Sequence, residues 1–388
     1  MIRVEVEERG LAGSELLIVG TSARAAAFSA LRAGLSPICV DQFADRDLLA
    51  VSPTTQLECI VQDLPAIMQQ FAGMPILYTG GLENHPETLA LLEQFGPLLG
   101  NRPDVIRQVR DPQRICEAIK AVKMPYLEVL DQDSPPPPDG TWLLKPLRSG
   151  GGRGIVVWDE RAVDSPTLQE PHYFQQYAQG TPCSAVFIAR DTIGDVRFVG
   201  LTEQLIGESA LNAEPFQWCG NVGPVGLSLP AESGIRRLGN FFKWKFKLKG
   251  LFGLDFLVDG DTVWLTEVNP RYPASLEILE FATGQALLAD HCDCFEGIIS
   301  VLQMPHWTPS PEPALAKGVL FAERSSQVNI KVPISGDGFR TWPRMADVPP
   351  AGSHIQRATP LCSLFATGTS TQMSKENLFS FANSLQSR

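Results

Sequence analysis

The 388-residue sequence predicts a mixed α/β protein with an open parallel sheet at its N-terminus, an α+β middle part and a small β-rich C-terminal extension. Three observations support this. Short apolar runs alternate with helical segments over residues 15–95, a glycine loop separates two strands near residue 150, and a hairpin lies near residue 260. Alternating strands and helices are typical of parallel sheets, whereas hairpins belong to antiparallel ones. At this length we expect two to three domains.

The N-terminal segment predicts repeated strand–helix units. A buried strand over 15–19, a turn at Gly20, a helix over 23–33 that ends before Gly34, and a second strand over 37–41 form the first unit. The pattern recurs over residues 67–71, 75–79 and 87–95. Gly20 and Asp41 imitate a dinucleotide-binding fingerprint, but the turn lacks the further glycines that such a site needs. An NAD-dependent oxidoreductase is therefore disfavoured.

The middle part predicts helices and strands in mixed order. Residues 104–122 are predicted to be helical with a break at Pro112. The later predicted strands are 141–146, 155–158, 173–177, 184–189 and 196–202, and the later predicted helices are 232–247, 275–282 and 286–302. Residues 308–315 are proline-rich and predict a linker. The final segment predicts short strands and a helix capped by Ser374. We expect domains at 1–103, 104–310 (with a lid part at about 104–175) and 311–388.

Residues 254–271 predict a β-hairpin that binds a metal ion. Two apolar runs flank a turn at residues 259–261. A three-residue turn would pair Asp255 with Leu265 and place Glu267 diagonally on the same face, with Asn269 two residues further on. Two carboxylates and an amide oxygen are hard ligands that suit Mg²⁺, and a neighbouring Arg271 suits phosphate oxygens. A solvated acidic position is the simpler alternative, but a carboxylate in so apolar a strand is costly without a partner.

A second stretch predicts a phosphate-binding loop. Lys145 ends a strand and offers a point charge to phosphate oxygens. The following loop contains Ser149, Gly150, Gly151, Gly152, Arg153 and Gly154. Its glycines would let backbone N–H groups approach a triphosphate, and Arg153 could reach it. A flexible surface loop is the alternative. The extended segment at Gln175, Gln176 and Tyr177 is either an ordinary strand or a purine-binding edge.

In order and spacing, these three stretches resemble the ATP-grasp superfamily of carboxylate–amine ligases. The matching motifs are Leu144-Lys-Pro with the loop 149–154, Gln175-Gln-Tyr-x-x-Gly180, and Gly253-Leu-Asp followed by Leu-Thr-Glu-Val-Asn-Pro-Arg271. The resemblance covers roughly residues 100–305. The N-terminal sheet is similar to the Rossmann-like domain that commonly precedes an ATP-grasp domain. The resemblance therefore implies a carboxylate activated by ATP as an acyl phosphate and then attacked by an amine.

The resemblance also implies roles for matching residues. Lys145 would bind the α/β-phosphates under the lid loop 149–154, and the segment 175–177 would hold adenine. Asp255, Glu267 and Asn269 would hold one or two Mg²⁺ (or Mn²⁺) ions. Arg271 would steady the transferring group. Many relatives carry a lysine where this chain has Arg110-Asp111-Pro112, so Arg110 would supply that charge. They often carry glutamate where this chain has Gln176, so the ribose partner stays open.

The acceptor is less well defined by the sequence. Gln204, Trp218 and Asn221 fall where the family builds its substrate pocket, although a glycine-rich loop packed on the sheet explains them equally well. The pattern is similar to the tyramine–glutamate ligases of methanofuran biosynthesis and their bacterial relatives in one-carbon cofactor pathways. Biotin carboxylases and carbamoyl-phosphate synthases share the last motif. A non-catalytic ATP-binding regulator is a further alternative, disfavoured because the metal ligands are intact.

Composition limits the other partners. The net charge of −11 disfavours a dedicated nucleic-acid binder. No apolar run approaches the roughly 20 residues of a membrane span, and the charged N-terminus is unlike a signal peptide. We therefore expect a cytoplasmic protein with small-molecule substrates, and the sequence leaves open whether it forms a homodimer. Residues 291–294 (His-Cys-Asp-Cys) form the one dense cluster of soft ligands, without a second cluster to complete a metal site.

Overall fold

The computed structural model describes residues 14–295, 297–299, 310, 313–328, 330, 334 and 336–386. Its N-terminal sheet has four parallel strands in the order β3-β2-β1-β4. These strands are β1 (Glu15–Gly20), β2 (Ser36–Asp41), β3 (Thr54–Gln56) and β4 (Ile76–Tyr78). The accompanying helices are α1 (Arg24–Arg32), α2 (Arg46–Leu49), α3 (Ile60–Ile67) and α4 (Pro86–Leu92), with 3₁₀ turns at Met68–Phe71 and Leu82–Asn84. The predicted open parallel sheet is confirmed.

Asp41, which imitates part of a dinucleotide fingerprint, has a structural role. Its carboxylate accepts hydrogen bonds from the backbone N–H groups of Ala23 (2.6 Å), Phe43 (2.8 Å) and Ala44 (2.7 Å). These bonds use three of its about four acceptor positions and organise the start of α1 and the turn after β2.

Two helices and a small antiparallel sheet follow. The helices are α5 (Pro103–Val109) and α6 (Pro112–Ala121). The break between them falls at the predicted place because Pro112 starts α6 and the Asp111 side chain caps it, accepting from the N–H of Arg114 at 3.0 Å. The small sheet has the order β5-β8-β6-β7 and is named the lid sheet here. Its strands are β5 (Val129–Asp131), β6 (Asp139–Pro146), β7 (Val156–Asp159) and β8 (His172–Gln176), with 3₁₀ turns at Ala162–Asp164 and Pro166–Gln169.

A central sheet of eight antiparallel strands forms the rest of the molecule, in the order β13-β12-β9-β10-β11-β14-β18-β16. A two-stranded ribbon pairs β15 with β17. The strands are β9 (Thr181–Ala189), β10 (Arg197–Ile206), β11 (Trp218–Gly223), β12 (Gly250–Asp259), β13 (Thr262–Asn269), β14 (Ala314–Phe321), β15 (Ser326–Gln327), β16 (Met345–Ala346), β17 (His354–Ile355) and β18 (Pro360–Gly368). Strands β14, β16 and β18 thus continue this sheet beyond residue 310, while the predicted domain boundaries stay predictions.

Four helices pack around the central sheet. They are α7 (Leu229–Phe246), α8 (Leu276–Thr283), α9 (Leu287–Cys292) and α10 (Thr371–Gln386), with 3₁₀ turns at Ser209–Leu211 and Gly338–Arg340. Helix α7 buries Ile235, Leu238 and Phe242 at helical spacing against Phe187 and Phe252, whose rings stack 5.2 Å apart. This apolar packing occupies one face of the sheet. On the other face, Val186, Ile188 and Leu251 pack into a core shared with the N-terminal sheet, and Asp255 follows at the end of this apolar patch.

Two predicted helices differ from the structure. The helix predicted over 286–302 extends only over Leu287–Cys292, and residues 296 and 300–302 lie outside the described part. The predicted cap Ser374 is wrong, because the last helix begins at Thr371 and Ser370 accepts the N–H of Met373 at 3.1 Å. Ser374 is buried instead and donates its hydroxyl to Ala314 O at 3.0 Å. The predicted linker 308–315 lies largely outside the described residues, and its end belongs to β14.

A buried ionic network joins the N-terminal domain to the central sheet. Arg24 at the start of α1 contacts Glu277 of α8, and Lys317 of β14 donates to the same carboxylate at 2.7 Å. Arg24 also donates to Asp347 at 2.9 and 3.0 Å. Burial alone would raise the pKa of Glu277, but Arg24 and Lys317 lower it to about 2. The network therefore fixes how the N-terminal loops face the sheet.

Among the residues that the structure describes, no helix combines the length and the apolar character that a bilayer crossing requires.

Candidate functional site

The hairpin of β12 and β13 has a tighter turn than the sequence predicted. Asp259 pairs with Thr262, so Gly260 and Asp261 alone form the turn. Gly260 has φ +58°, a left-handed conformation that glycine adopts without strain. The predicted three-residue turn is therefore wrong by one residue.

A β-bulge in β13 places Glu267 next to Asp255. Phe256 pairs with Leu265 but Asp255 pairs with Glu267, so Thr266 is an extra residue in β13. The predicted pairing of Asp255 with Leu265 is wrong, and Glu267 lies directly opposite Asp255 rather than diagonally. Without the bulge, Glu267 would point to the apolar face of the sheet. The bulge thus brings the two carboxylates together on the polar face.

Asn269 completes a group of three oxygen-bearing side chains. It pairs with Gly253 on the same face and donates its amide to Asp255 Oδ2 at 2.8 Å. Burial and the charge of Glu267 raise the pKa of Asp255 to about 6, against the opposing effects of Ser184, Arg271 and Asn269. The structure therefore places the predicted ligands Asp255, Glu267 and Asn269 side by side.

These residues fit a hard divalent cation. Two carboxylates facing each other repel, and this repulsion adds to the larger effect of burial in raising the pKa of Asp255. Among the described residues, no group of three or more His, Cys, Asp or Glu side chains is arranged for a metal ion. An ion here would take two carboxylates and an amide oxygen, and would share its remaining positions with phosphate oxygens and water. This ligand set suits Mg²⁺, which normally keeps only one or two carboxylates.

Metal affinity should depend on pH through Asp255. A metal ligand must be deprotonated, and the folded-state pKa of Asp255 is about 6. We expect Mg²⁺ affinity in the presence of ADP to be pH-independent well above 6 and to weaken about tenfold per pH unit below it, because one proton competes with the ion. Calorimetric titration between pH 5 and 8 measures this. Affinity that stays constant down to pH 5 would contradict the assignment, and Asp255→Asn should remove the pH dependence together with most of the affinity.

Arg271 is held beside the three ligands by the N-terminal domain. Its Nε and Nη2 lie 2.9 Å from Glu83 Oε1, and its Nη2 also donates to Asn269 Oδ1 at 3.1 Å. Burial would raise the pKa of Glu83, but the guanidinium groups of Arg271 and Arg110 lower it, so Glu83 is an anion. A methyl group on Gly80 would lie 3.5 Å from the Arg271 guanidinium. The fold thus fixes this cation at the edge of the site.

Arg110 connects three parts of the site. Its Nη1 contacts Glu267 Oε1, and its Nη2 donates to Asn84 Oδ1 at 2.8 Å and to Ser149 O at 3.1 Å. Burial opposes its charge, but Glu267 and Glu83 outweigh that effect and raise the pKa of Arg110. One fixed cation therefore touches a metal-ligand candidate, the N-terminal domain and the start of the glycine loop. This position agrees with the expectation that Arg110 supplies the missing lysine charge.

Lys145 lies across the pocket from the hairpin. Its Nζ donates to Gln175 Oε1 at 3.0 Å and lies 5.6 Å from the centre of the Tyr173 ring. Gln175 is buried, so its side chain orients the lysine. The three residues come from adjacent strands β6 and β8, where Lys145 pairs with Tyr173. An ammonium held in this way presents a point charge to the pocket.

The predicted adenine segment is partly used by the lid sheet. The N–H of Gln176 donates to Glu128 O and that of Tyr177 to Thr141 O, both at 2.9 Å. Gln176 is exposed, and its Oε1 accepts the N–H of Glu128 at 3.3 Å. Adenine binding by Gln176 and Tyr177 would therefore depend on carbonyl groups and side chains rather than on these N–H groups. Gln175 lines the pocket, as predicted for a nucleotide-facing residue.

The glycine loop closes one side of the pocket. Gly151, Gly152 and Gly154 have φ values of +62°, +77° and +76°, which other residues rarely adopt. Gly150 lies in open space, and the Ser149 hydroxyl donates to Arg153 O at 2.6 Å. The Arg153 side chain is exposed, so the predicted reach into the nucleotide site would need a different rotamer. The loop backbone is shaped for close approach to a ligand.

One pocket, open to solvent, is lined by parts of α5 and α6, the lid sheet, the glycine loop and β13. Its polar lining includes Arg110, Lys145 and Glu267, and its apolar lining includes Ile115 and Leu127. The arrangement offers cations for phosphates, the Glu267 carboxylate for a metal ion and an apolar wall for a flat ring.

The three predicted substrate residues lie together on the polar face of the sheet. Gln204 pairs with Asn221, and Trp218 donates its Nε1–H to Asn221 Oδ1 at 3.0 Å. Asn221 is buried, and its amide donates to Thr202 Oγ1 at 2.9 Å. Thr202 belongs to the strand pair next to Asp255, through Ser184, so this group begins about 10 Å from the carboxylates. Gln204 and Trp218 are half-buried, and the buried Asn221 holds the Trp218 ring in place.

The cluster at residues 291–294 is structural. His291 Nδ1 accepts the N–H of Leu251 at 2.9 Å, and burial lowers the pKa of His291 to about 4. Burial raises the pKa of Cys292 to about 12 and that of Cys294 to about 11. His291 Nε2 lies 3.1 Å from Leu99 O, so both ring nitrogens of His291 have backbone partners.

Sequence reasoning missed Glu83, Asn84 and Ser184. Glu83 and Asn84 follow β4 at the carboxyl end of the parallel sheet, the edge at which ligands bind in open α/β folds. Their position after β4 could therefore have identified Glu83 and Asn84 as candidate site residues. Ser184 hydrogen-bonds Asp255 from the neighbouring strand, a pairing that the sequence does not specify.

Comparison with known proteins supports the geometry. Residues 111–275 match the family described as an ATP-grasp domain. An uncharacterized protein of Methanocaldococcus jannaschii is 24% identical over 249 residues, which are 63% of this chain and 54% of that protein. The chain therefore spans about half the length of the curated relative that it matches.

Several solved structures share the fold at 13–15% identity. The biotin carboxylase domain of Hydrogenobacter thermophilus 2-oxoglutarate carboxylase, a dimer bound to MgADP and bicarbonate, has a TM-score of 0.67 at 13% identity over 95% of this chain and 89% of that chain. Campylobacter jejuni biotin carboxylase has a TM-score of 0.66 at 15% identity over 94% and 90%. Staphylococcus aureus N5-carboxyaminoimidazole synthetase complexed with ADP has a TM-score of 0.66 at 13% identity over 96% and 97%. This likeness concerns the fold.

Proposed function

We propose that this chain, which contains an ATP-grasp domain, is an ATP- and Mg²⁺-dependent ligase that joins a carboxylate to an amine with release of ADP and phosphate. One observation supports this most strongly. Asp255, Glu267 and Asn269 share one face beside Arg271, and Glu267 and Lys145 line the same pocket. Mn²⁺ would serve in place of Mg²⁺, because both accept oxygen ligands.

The proposed reaction has two steps. A carboxylate oxygen of the substrate attacks the γ-phosphorus of ATP, and the bond to the bridging oxygen of ADP breaks, giving an acyl phosphate and ADP. The neutral amine then attacks the acyl carbon. Phosphate leaves with the carboxylate-derived oxygen, and the amine nitrogen loses a proton to form the amide. No protein nucleophile is needed, and we assign none.

The residues of the chain position and stabilise these steps. A bound Mg²⁺ ion would neutralise phosphate charge during transfer. Lys145 and Arg110 would bind phosphate oxygens, and Arg271, fixed by Glu83, would face the transferring group. The glycine loop 149–154 would exclude water from the acyl phosphate, which water otherwise hydrolyses. Arg153 would reach the phosphates only after a rotamer change.

The substrates are proposed to be small. Gln204 and Trp218 are half-buried on β10 and β11, beyond the proposed metal ligands in the strand order, and Asn221 supports Trp218. An amino acid or a small cofactor precursor, such as those of one-carbon pathways suggested by the motif resemblance, fits this size. Eight free cysteines suit a reducing cytoplasm. A homodimer is the assembly we propose, by analogy with the dimeric domain from Hydrogenobacter.

A carboxylase-type reaction is the second candidate. The likeness to biotin carboxylases extends over 94–95% of this chain, including the strands beyond residue 310. Bicarbonate would then be the carboxylate that is activated. The activation chemistry is the same, so the two candidates differ only in the acid and the acceptor.

A substrate panel tests the proposal. Purified protein with ATP and Mg²⁺ is given each of the amino acids and bicarbonate, with hydroxylamine as the amine that traps the activated acid as a hydroxamate. We expect ADP, phosphate and hydroxamate to form together with one acid or a small group of acids. Release of AMP would show an adenylating mechanism and contradict the proposal. Tight ATP binding without turnover under every condition would favour a regulatory protein instead.

A further inference from the structure

The loop between β10 and β11, residues 207–217, is named the strap here, and it contacts the glycine loop directly. The N–H of Trp218, which follows the strap, donates to Gly151 O at 3.0 Å. The Phe216 carbonyl abuts Gly152 so closely that a methyl group there would lie 1.8 Å from the oxygen. The Phe216 ring packs edge-on against Tyr177, with 6.0 Å between centroids. The strap and the first residue of β11 therefore contact the glycine loop at Gly152 and Gly151, and the strap also contacts Tyr177, which follows β8.

Trp218 is also anchored to the acceptor side of the cleft. Its ring N–H donates to Asn221 Oδ1 at 3.0 Å, and Asn221 in turn donates to Thr202 at 2.9 Å. The strand register shifts between Leu205 and Ile206 opposite Trp218, so regular pairing alone does not fix this residue. The backbone N–H of Trp218 thus binds the glycine loop, while its side chain binds Asn221 of β11.

We propose that Trp218 is a positioning residue that couples the acceptor side of the cleft to the glycine loop over the nucleotide. This inference rests on the proposed function, which defines those two sides. When the indole N–H binds Asn221, the backbone N–H of Trp218 is aligned with Gly151 O. Closure of the glycine loop and ordering of the acceptor side of the cleft therefore occur together. Because coupling between sites is reciprocal, a change at either end alters the other.

Local hydrogen exchange tests the coupling without any turnover. Trp218→Phe keeps an aromatic ring but removes the donor to Asn221, and Trp244→Phe is the matched control, because Trp244 is exposed on α7 away from the cleft. With MgADP as the added probe, we expect exchange of the peptide covering 149–155 to rise about fivefold in Trp218→Phe, the effect of losing one hydrogen bond. Trp244→Phe should match the native protein.

The reverse direction gives a second test. Gly152→Ala adds a methyl group against the Phe216 carbonyl, whereas Gly151→Ala, at a similar positive φ, adds the same group to open space. We expect exchange at the Trp218 amide to rise more in Gly152→Ala than in Gly151→Ala, and an equal rise in both would show that backbone strain rather than this contact is responsible. Unfolding midpoints should differ little between Trp218→Phe and the native protein, so that a general loss of stability does not explain the result.

The outcomes are separable from those of the ligase proposal. Equal exchange of the glycine loop in native protein, Trp218→Phe and Trp244→Phe would overturn the coupling, whatever the protein catalyses. Loosening of the loop in Trp218→Phe supports the coupling even when no acid in the panel is activated, since MgADP alone is present.

Discussion

Glu267→Gln is expected to reduce ligase turnover by roughly a thousandfold, about 4 kcal/mol of transition-state stabilisation, while the protein stays folded. Glu267 lies opposite Asp255 through the bulge at Thr266 and contacts Arg110. Glutamine keeps the size of the side chain but removes the charge that a metal ion needs. ATP-dependent formation of ADP and hydroxamate, measured with the acid identified by the panel, gives the effect.

The matched control is Glu232→Gln. Glu232 also pairs with an arginine, Arg236, at 2.6 Å, but this pair is exposed on α7. The Glu232→Gln variant should turn over its substrate at the native rate. Activity of Glu267→Gln within tenfold of the control would remove the metal assignment. The far-UV circular dichroism of both variants should match that of the native protein, because Glu267 is half-exposed and its loss leaves the core intact.

Glu277→Gln is expected to destabilise the fold by about 3–5 kcal/mol at pH 7. Glu277 is fully buried and neutralises both Arg24 and Lys317. Removing the charge of Glu277 leaves the buried Lys317 without its direct ion-pair partner, while Arg24 keeps Asp347. The free energy of unfolding in urea measures the effect, and Glu232→Gln should stay within about 1 kcal/mol of the native protein, as for an exposed ion pair.

The same variant carries a pH signature. The folded-state pKa of Glu277 is lowered from 4.5 to about 2, so its contribution is present above pH 4.5 and is lost as the pH falls toward 2. That shift corresponds to about 3 kcal/mol. The difference in unfolding free energy between native protein and Glu277→Gln should therefore narrow below pH 4.5. A difference that is constant from pH 7 to pH 3 would show that the network does not stabilise the ionised form of Glu277.

The sequence predicted the local parts of the site well. Strand alternation and a glycine-bearing turn place Asp255 and Glu267 on one hairpin, because strand periodicity is a local property. The predicted turn was one residue too long. The extra residue Thr266 in β13 offsets this difference, so that Glu267 still lies on the same face as Asp255. No single-sequence signal marks that bulge, because it depends on how β12 also pairs with β9.

The long-range parts could not be predicted in the same way. Glu83 reaches Arg271 across 188 positions of the chain, and Arg24 reaches Glu277 across 253. Such contacts depend on how whole layers pack. The prediction that Ser374 caps the last helix was wrong for a related reason, because the Ser374 hydroxyl is buried and donates to Ala314 O of β14. Of these two contacts, a topological rule could have indicated only that of Glu83, because Glu83 follows β4 at the carboxyl end of the parallel sheet.

The most direct test of the acyl-phosphate mechanism is an oxygen-transfer measurement. The acid that supports turnover is labelled with ¹⁸O in its carboxylate, and the products are examined by mass spectrometry. We predict one ¹⁸O atom in the released phosphate and none in the nucleotide, because the carboxylate oxygen attacks the γ-phosphorus. Recovery of ¹⁸O in AMP, or phosphate that carries no label from the acid, would contradict the proposed activation step.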